Sequence, residues 1–101
     1  MYLDTHTSIR VLCVDDDEDV LDVLEFELER RIEDGTVVTA ETVAAGTEKL
    51  ESGEFDCLVA DYKLPDGDGF DLVDAAKEVD EDMPILFYTG RGSEDVSANA
   101  L

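Results

Sequence analysis

Basic residues are scarce in this chain. Lysine and arginine together number 7 against 28 aspartates and glutamates, and lysine occurs only as Lys49, Lys63 and Lys77. A domain with so little positive charge has no footprint for a phosphate backbone, which excludes direct nucleic-acid binding by the domain itself. Cysteine occurs only as Cys13 and Cys57, each inside an apolar, strand-like run. That pattern offers no metal-binding cysteine set, and buried reduced thiols are expected rather than a disulfide. The one histidine, His6, lies in a terminus expected to fray. No apolar stretch approaches membrane-spanning length. Met1 to Thr7 has neither the positive charge nor the apolar block of a secretory signal. The expectations are no membrane association, a cytoplasmic location, and a plain leader over residues 1–8.

What the chain has in excess is acid. Its formal net charge is −21 over 101 residues, and the acids are spread along its length rather than gathered in a tail. Such a surface suits molar salt, where the screening length shrinks to about 3 Å and self-repulsion is damped. The apolar fraction of 44% is ordinary for a folded protein. The length suits one domain, 1–101, with a single core.

Hydrophobic periodicity sets the order of elements. Ile9 to Val14 is apolar apart from Arg10, as in a strand buried on both faces. Asp17 to Glu33 reads as a helix with Val20, Leu21, Leu24, Leu28 and Ile32 on one stripe. Acids at its start and Arg30 and Arg31 at its end complement the helix dipole, and Gly35 is its stop signal. Thr36 to Glu41 is strand-like around Val37 and Val38. Thr42 to Ser52 is a short helix closed by Gly53, and Phe55 to Ala60 is the next strand. Leu64-Pro65-Asp66-Gly67-Asp68-Gly69 is a turn. Phe70 to Val79 is a helix whose buried side draws on Phe70, Leu72, Val73 and Ala76. Pro84 to Tyr88 is a fourth strand, Thr89 to Gly92 a loop, and Ser93 begins a further helix with Glu94 and Asp95 in its first turn.

Strands alternating with helices predict an α/β fold, a doubly wound parallel sheet with helices on both faces. Ligands of such sheets sit at the carboxyl ends of the strands, near the point where strand order reverses. Asp15 and Asp16 stand just past the first strand, Asp61 just past the third, and Thr89 just past the fourth. Three clustered carboxylates repel one another. A hard divalent cation resolves that conflict, and Mg²⁺ prefers oxygen ligands. The pattern points to phosphoryl chemistry at a carboxylate–metal site.

Asp15-Asp16, Asp61, Leu64-Pro65-Asp66-Gly67-Asp68-Gly69 and Thr89-Gly90 stand in this order with spacings that resemble the receiver domain of two-component response regulators. The resemblance runs from about residue 9 to the end of the chain and implies a flavodoxin-like strand order 2-1-3-4-5. It implies that Asp61 is the phosphoacceptor, that Asp16 ligates Mg²⁺ directly, and that Asp15 does so partly through water. Asp61 and the backbone carbonyl of Lys63 would complete the protein ligands. Thr89 would hydrogen-bond a phosphoryl oxygen and move with phosphorylation, and Gly90 would leave the phosphoryl path open. Lys63 and Arg91, each two residues beyond a site residue, would tune the lifetime of the acyl phosphate. The donor would be a phosphohistidine on a histidine kinase or phosphotransfer protein. Any catalysis would be confined to the domain's own phosphorylation and dephosphorylation. With the acidic surface, the resemblance suggests a halophilic archaeon as source.

Family members run about twenty residues further, through a fifth strand carrying a lysine and an aromatic residue and then a fifth helix. The chain is therefore expected to be a fragment of a longer protein, a transcription regulator or a sensor histidine kinase, with an output domain to follow. Without those elements the fourth strand would be an open edge inviting dimerisation.

Three alternatives compete. Asp15-Asp16-Asp17 meets, in name, the Asp-x-Asp of an aspartate-based phosphatase, but that leaves Asp61 without a role. Asp66-x-Asp68-Gly69 faintly suggests a calcium loop but lacks the spaced acids and closing Glu of an EF-hand. A docking module that works without phosphate would not need the acidic set.

Overall fold

A computed structural model of the chain describes residues 9–88. The leader over residues 1–8, the loop carrying Thr89, Gly90 and Arg91, and the helix expected from Ser93 lie outside the described residues. The elements are β1 (Ile9–Val14), α1 (Glu18–Arg31), β2 (Gly35–Ala40), α2 (Val43–Ser52), β3 (Cys57–Asp61), β4 (Lys63–Leu64), β5 (Gly67–Asp68), α3 (Gly69–Val79) and β6 (Ile85–Tyr88). The main sheet is parallel in the order β2-β1-β3-β6. Counting only its members along the chain, this is the expected 2-1-3-4 arrangement of a flavodoxin-like fold.

The alternation of side chains along β1 explains the two layers. Leu12 and Val14 point to one face, where they pack with Leu50, Leu58, Ala60, Leu72 and Ala76 under α2 and α3. Val11 and Cys13 point to the other, with Val37, Val59 and Leu21 of α1. Right-handed crossovers require this division. The chain moves one way from β1 to β2, then reverses across β1 to reach β3 and β6, so α1 and the later helices fall on opposite faces. Gly46 lets α2 approach closely: a Cβ there would lie 2.8 Å from Leu72 Cδ2 and 3.2 Å from Val14 Cγ2. Both cysteines are unbridged. Cys13 is fully buried, and burial, reinforced by Cys57 and Glu25, pushes its thiol up to about 12.

Several local expectations are corrected. Helix α1 ends at Arg31, and Ile32 caps it in an extended conformation. The left-handed turn falls on Asp34 (φ 60°), not on Gly35, which begins β2. A short polar side chain tolerates that conformation better than most. β3 starts at Cys57 rather than Phe55, because Asp56 still turns its N–H to the Arg10 carbonyl (2.8 Å) and its carboxylate to the Arg10 N–H (2.9 Å). The turn after β3 contains a tiny antiparallel ladder, Lys63↔Asp68 and Leu64↔Gly67. On α3, Leu72 and Ala76 are fully buried as expected, but Phe70 is 54% exposed. Its ring lies edge-on to Tyr62 (5.5 Å between centroids) and tilted against Phe87 (5.5 Å). Phe70 sits in the first turn of its helix, beyond the end of the buried stripe.

Candidate functional site

β1 is fully buried as it reaches Val14, and the chain leaves the sheet at the next residue. Asp15 still donates its N–H to the Ala40 carbonyl (3.0 Å), so its backbone belongs to the rigid sheet. β3 ends on Asp61 itself. Because Val14 pairs with Ala60 in parallel register, the residues that follow them, Asp15 and Asp61, emerge side by side. Asp16 adds a third carboxylate, and one oxygen of each lies within 4.8 Å of the others. Asp15 is 2% and Asp61 4% exposed, whereas Asp16 faces solvent. The sequence-predicted convergence of Asp15, Asp16 and Asp61 is thus what the fold brings together.

The buried carboxylates are held by donors. Asp15 Oδ1 accepts the Asp17 N–H (2.8 Å), and Asp15 Oδ2 accepts the Tyr88 hydroxyl (2.5 Å). Asp61 Oδ1 accepts the Lys63 N–H at a long 3.4 Å. Burial, the hydrogen bond to Asp15 and the nearby charges of Asp15, Asp61 and Cys13 all hold the Tyr88 phenol far above its ordinary range. All-oxygen donors at this spacing suit a hard divalent cation such as Mg²⁺.

Tyr88 is the site residue that sequence reasoning missed. It reads as the last apolar position of a strand. The available signal was its hydroxyl: a half-buried tyrosine at the carboxyl end of a strand needs a partner there. The Tyr62 N–H donates to the Tyr88 carbonyl (3.1 Å), and the Gly69 N–H to the Tyr62 carbonyl (2.8 Å), lacing the turn to the strand ends. Gly69 has no room for a side chain: a Cβ would collide with the Phe87 ring and stand 3.2 Å from the Asp61 carbonyl oxygen.

Other acids of the region serve the backbone. The Asp17 side chain caps α1 by accepting the Asp19 N–H (2.9 Å). It is thereby engaged at the helix start, while its own N–H donates to Asp15. Asp68 caps α3 in a reciprocal box with Asp71. Asp66 reaches across to α2, accepting the N–H groups of Val43 (2.8 Å) and Ala44 (3.0 Å). These bonds hold its carboxyl below the usual range. Asp66 and Asp68 therefore cap two different helices rather than line a calcium loop. A shallow hollow at the amino-terminal end of the sheet, lined by Arg10, Glu51, Ser52, Gly53, Glu54 and Val79, lies away from these carboxylates. Arg10 is already engaged there with the Glu54 carbonyl (2.8 Å) and the Phe55 ring. Lys63 is exposed beside the site, while Thr89, Gly90 and Arg91 fall outside the described residues.

The sequence model of the response regulator receiver domain matches residues 11–101. The chain is 38% identical over 89 residues to the transcriptional regulatory protein PrrA of Mycobacterium tuberculosis, which covers 88% of this chain and 37% of that protein. It is 35% identical over 92 residues to the response regulator protein PilR of Pseudomonas aeruginosa, covering 91% of this chain and 20% of that one. The chain thus spans less than half the length of these curated relatives. Among solved structures, a CheY-like response regulator receiver domain protein from Methanospirillum hungatei superposes with a TM-score of 0.77 at 34% identity, covering 91% of this chain and 72% of that chain. The non-phosphorylated HemR receiver domain from Leptospira biflexa does so with a TM-score of 0.73 at 32% identity, covering 91% and 73%. Among the described residues, no helix is long and apolar enough to cross a membrane.

Proposed function

This chain belongs to the response regulator receiver domain family, and from that premise we propose that it is a phosphoacceptor signalling domain in which Asp61 takes a phosphoryl group from a histidine kinase or phosphotransfer protein. The convergence of three carboxylates at the ends of β1 and β3 carries the reading. An Asp61 oxygen attacks phosphorus in line as the bond to the donor's histidine nitrogen breaks, leaving an acyl phosphate. Asp16 and Asp61 would hold Mg²⁺ directly, Asp15 partly through water, and Lys63 through its backbone carbonyl. When bound, the cation supplies positive charge against the oxygens of the transferring group. Asp15 and Asp61 are buried on the sheet, so they are set in place before reaction and lose little freedom in it.

The reading extends to residues beyond the described segment. Thr89 hydrogen-bonds a phosphoryl oxygen and shifts with phosphorylation, and Gly90 keeps the approach open. Lys63 and Arg91 tune acyl-phosphate lifetime, so a Lys63→Ala, Arg91→Ala double variant should decay at a changed rate. A covalently linked output domain fits the relatives, which are a response regulator protein and a transcriptional regulatory protein longer than this chain. A sensor histidine kinase carrying the receiver is the other form of that reading. A cytoplasmic location goes with either, and the acidic surface supports adaptation to high salt, as in a halophilic archaeon. Among the described strands, β6 is at the sheet edge, and self-association along it is proposed only for a form in which no further strand pairs there. Light scattering that returned only monomer would remove that last element.

The test is labelling with acetyl phosphate in the presence and absence of Mg²⁺, with the adduct located by mass spectrometry. Label on Asp61 that depends on Mg²⁺ is the expected result. Undiminished labelling in Asp61→Asn would refute the assignment.

A further inference from the structure

Tyr88 stands opposite Asp61 in the β3–β6 register, and its ring packs on the α1 face of the sheet against the cluster of Val11, Cys13, Leu21, Val37 and Val59. The hydroxyl crosses to Asp15, a residue 73 positions away, and makes a charge-assisted bond of 2.5 Å. The other Asp15 oxygen is taken by the Asp17 N–H. Asp15 is therefore gripped at both oxygens, and its carboxylate plane cannot turn. An ionised carboxylate offers about four acceptor sites, so lone pairs remain for a cation or its bound water, but in one set orientation.

We infer that Tyr88 is a positioning residue of the metal centre: by fixing Asp15 Oδ2 it sets the orientation of that carboxylate and with it the preference of the site for Mg²⁺ over the larger Ca²⁺. This inference rests on the metal-site reading above. Mg²⁺ demands near-ideal octahedral geometry from few protein ligands, whereas Ca²⁺ accepts irregular and bidentate carboxylates. A locked carboxylate favours the first, and a carboxylate free to rotate accommodates the second. Groups that orient a ligand in this way typically matter by about 10- to 100-fold in metal affinity.

The experiment is calorimetric titration of the full chain and its Tyr88→Phe variant with Mg²⁺ and, separately, Ca²⁺. Phenylalanine keeps the ring and removes only the donor. Mg²⁺ affinity should fall about tenfold while Ca²⁺ affinity stays nearly unchanged. Equal losses for both cations would mean a merely structural residue and overturn the inference, as would no loss for either. Leu86→Ala, two residues earlier on the same strand and facing the same way, should leave the ratio of affinities as it is. A matching shift there would also overturn the inference. The wild-type chain gives a further readout that does not depend on the variant folding: the ¹³C resonance of Tyr88 Cζ should move when Mg²⁺ is added, and a stationary resonance counts against the inference. A wild type that binds neither cation defeats the metal reading itself. A wild type that binds both, with a ratio Tyr88→Phe does not change, defeats only the role of Tyr88.

Discussion

Replacing Asp16 by asparagine should make the metal-free protein more stable and the Mg²⁺-loaded protein less so. The three carboxylates present oxygens within 4.8 Å of one another. Two unit charges at that separation repel by about 3.5 kcal/mol at an effective dielectric of about 20, and by about 0.9 kcal/mol in bulk water. Asp16 is exposed, so its repulsions lie toward the water value. Within the carboxylate cluster, Asp16→Asn removes two of the three pairwise repulsions, worth on the order of 2 kcal/mol at low salt. For a domain of this size that corresponds to a rise in Tm of roughly 8–16 °C. The asparagine keeps a carbonyl oxygen as acceptor, so the change is chiefly one of charge. The same substitution takes away a proposed direct metal ligand. At a Mg²⁺ concentration about 100 times its Kd, the wild type gains about 2.7 kcal/mol from binding, and the variant should gain much less. Thermal melts of both proteins in chelator and in Mg²⁺ should therefore show the order of stability reversing. A variant that melts at or below the wild type in chelator refutes the repulsion argument. One that gains the full Mg²⁺ increment refutes the ligand role.

Three further outcomes follow from the same geometry. Asp66→Asn should lower the urea midpoint at neutral pH, because the folded state holds the carboxyl below its ordinary value through the Val43 and Ala44 N–H groups. The contribution of a depressed carboxyl is present above the unfolded pKa of about 3.9 and lost as pH falls through the lower folded value. The gap between the proteins should close in that range, and a gap independent of pH would contradict the assignment. Raising KCl from dilute buffer to molar should raise Tm, since a net charge of −21 is screened over about 3 Å at 1 M against about 10 Å at 0.1 M; equal melting temperatures would dismiss the salt adaptation. Leu72→Ala, at a fully buried side chain facing Gly46 and the sheet, should cost about 2–5 kcal/mol by denaturant titration, and a loss below about 1 kcal/mol would mean that α2 and α3 are not packed as described.

Much of this protein was legible in the chain before any contact was known. The period of apolar residues placed β1, α1 and the central strands to within two residues, because burial on both faces of a strand or along one stripe of a helix must be written into consecutive positions. The alternation of strand and helix, with crossovers of one hand, then left few topologies. Asp15, Asp16 and Asp61 could be paired once the first and third strands were taken as neighbours, as the family resemblance implies, since residues just past adjacent parallel strands must emerge together. Thr89 stands just past the fourth strand by the same pattern, whereas Gly90 and Arg91 take their roles only from the family resemblance, and all three lie outside the described residues.

What the tertiary structure decided were the partners of polar groups. Asp66 belongs to a turn in sequence, yet it caps a helix that begins 23 residues earlier. Phe70 matches the apolar pattern of α3, yet it leaves the core to meet Tyr62 and Phe87 outside it. Tyr88 looks like the end of an apolar strand, yet its hydroxyl grips a carboxylate of the site across 73 residues. Local pattern records how much of a side chain must be buried, which the backbone period dictates. A hydrogen bond needs a donor and an acceptor within about 3 Å and in line, and for residues this far apart only the pairing register of β1, β3 and β6 brings the two atoms that close.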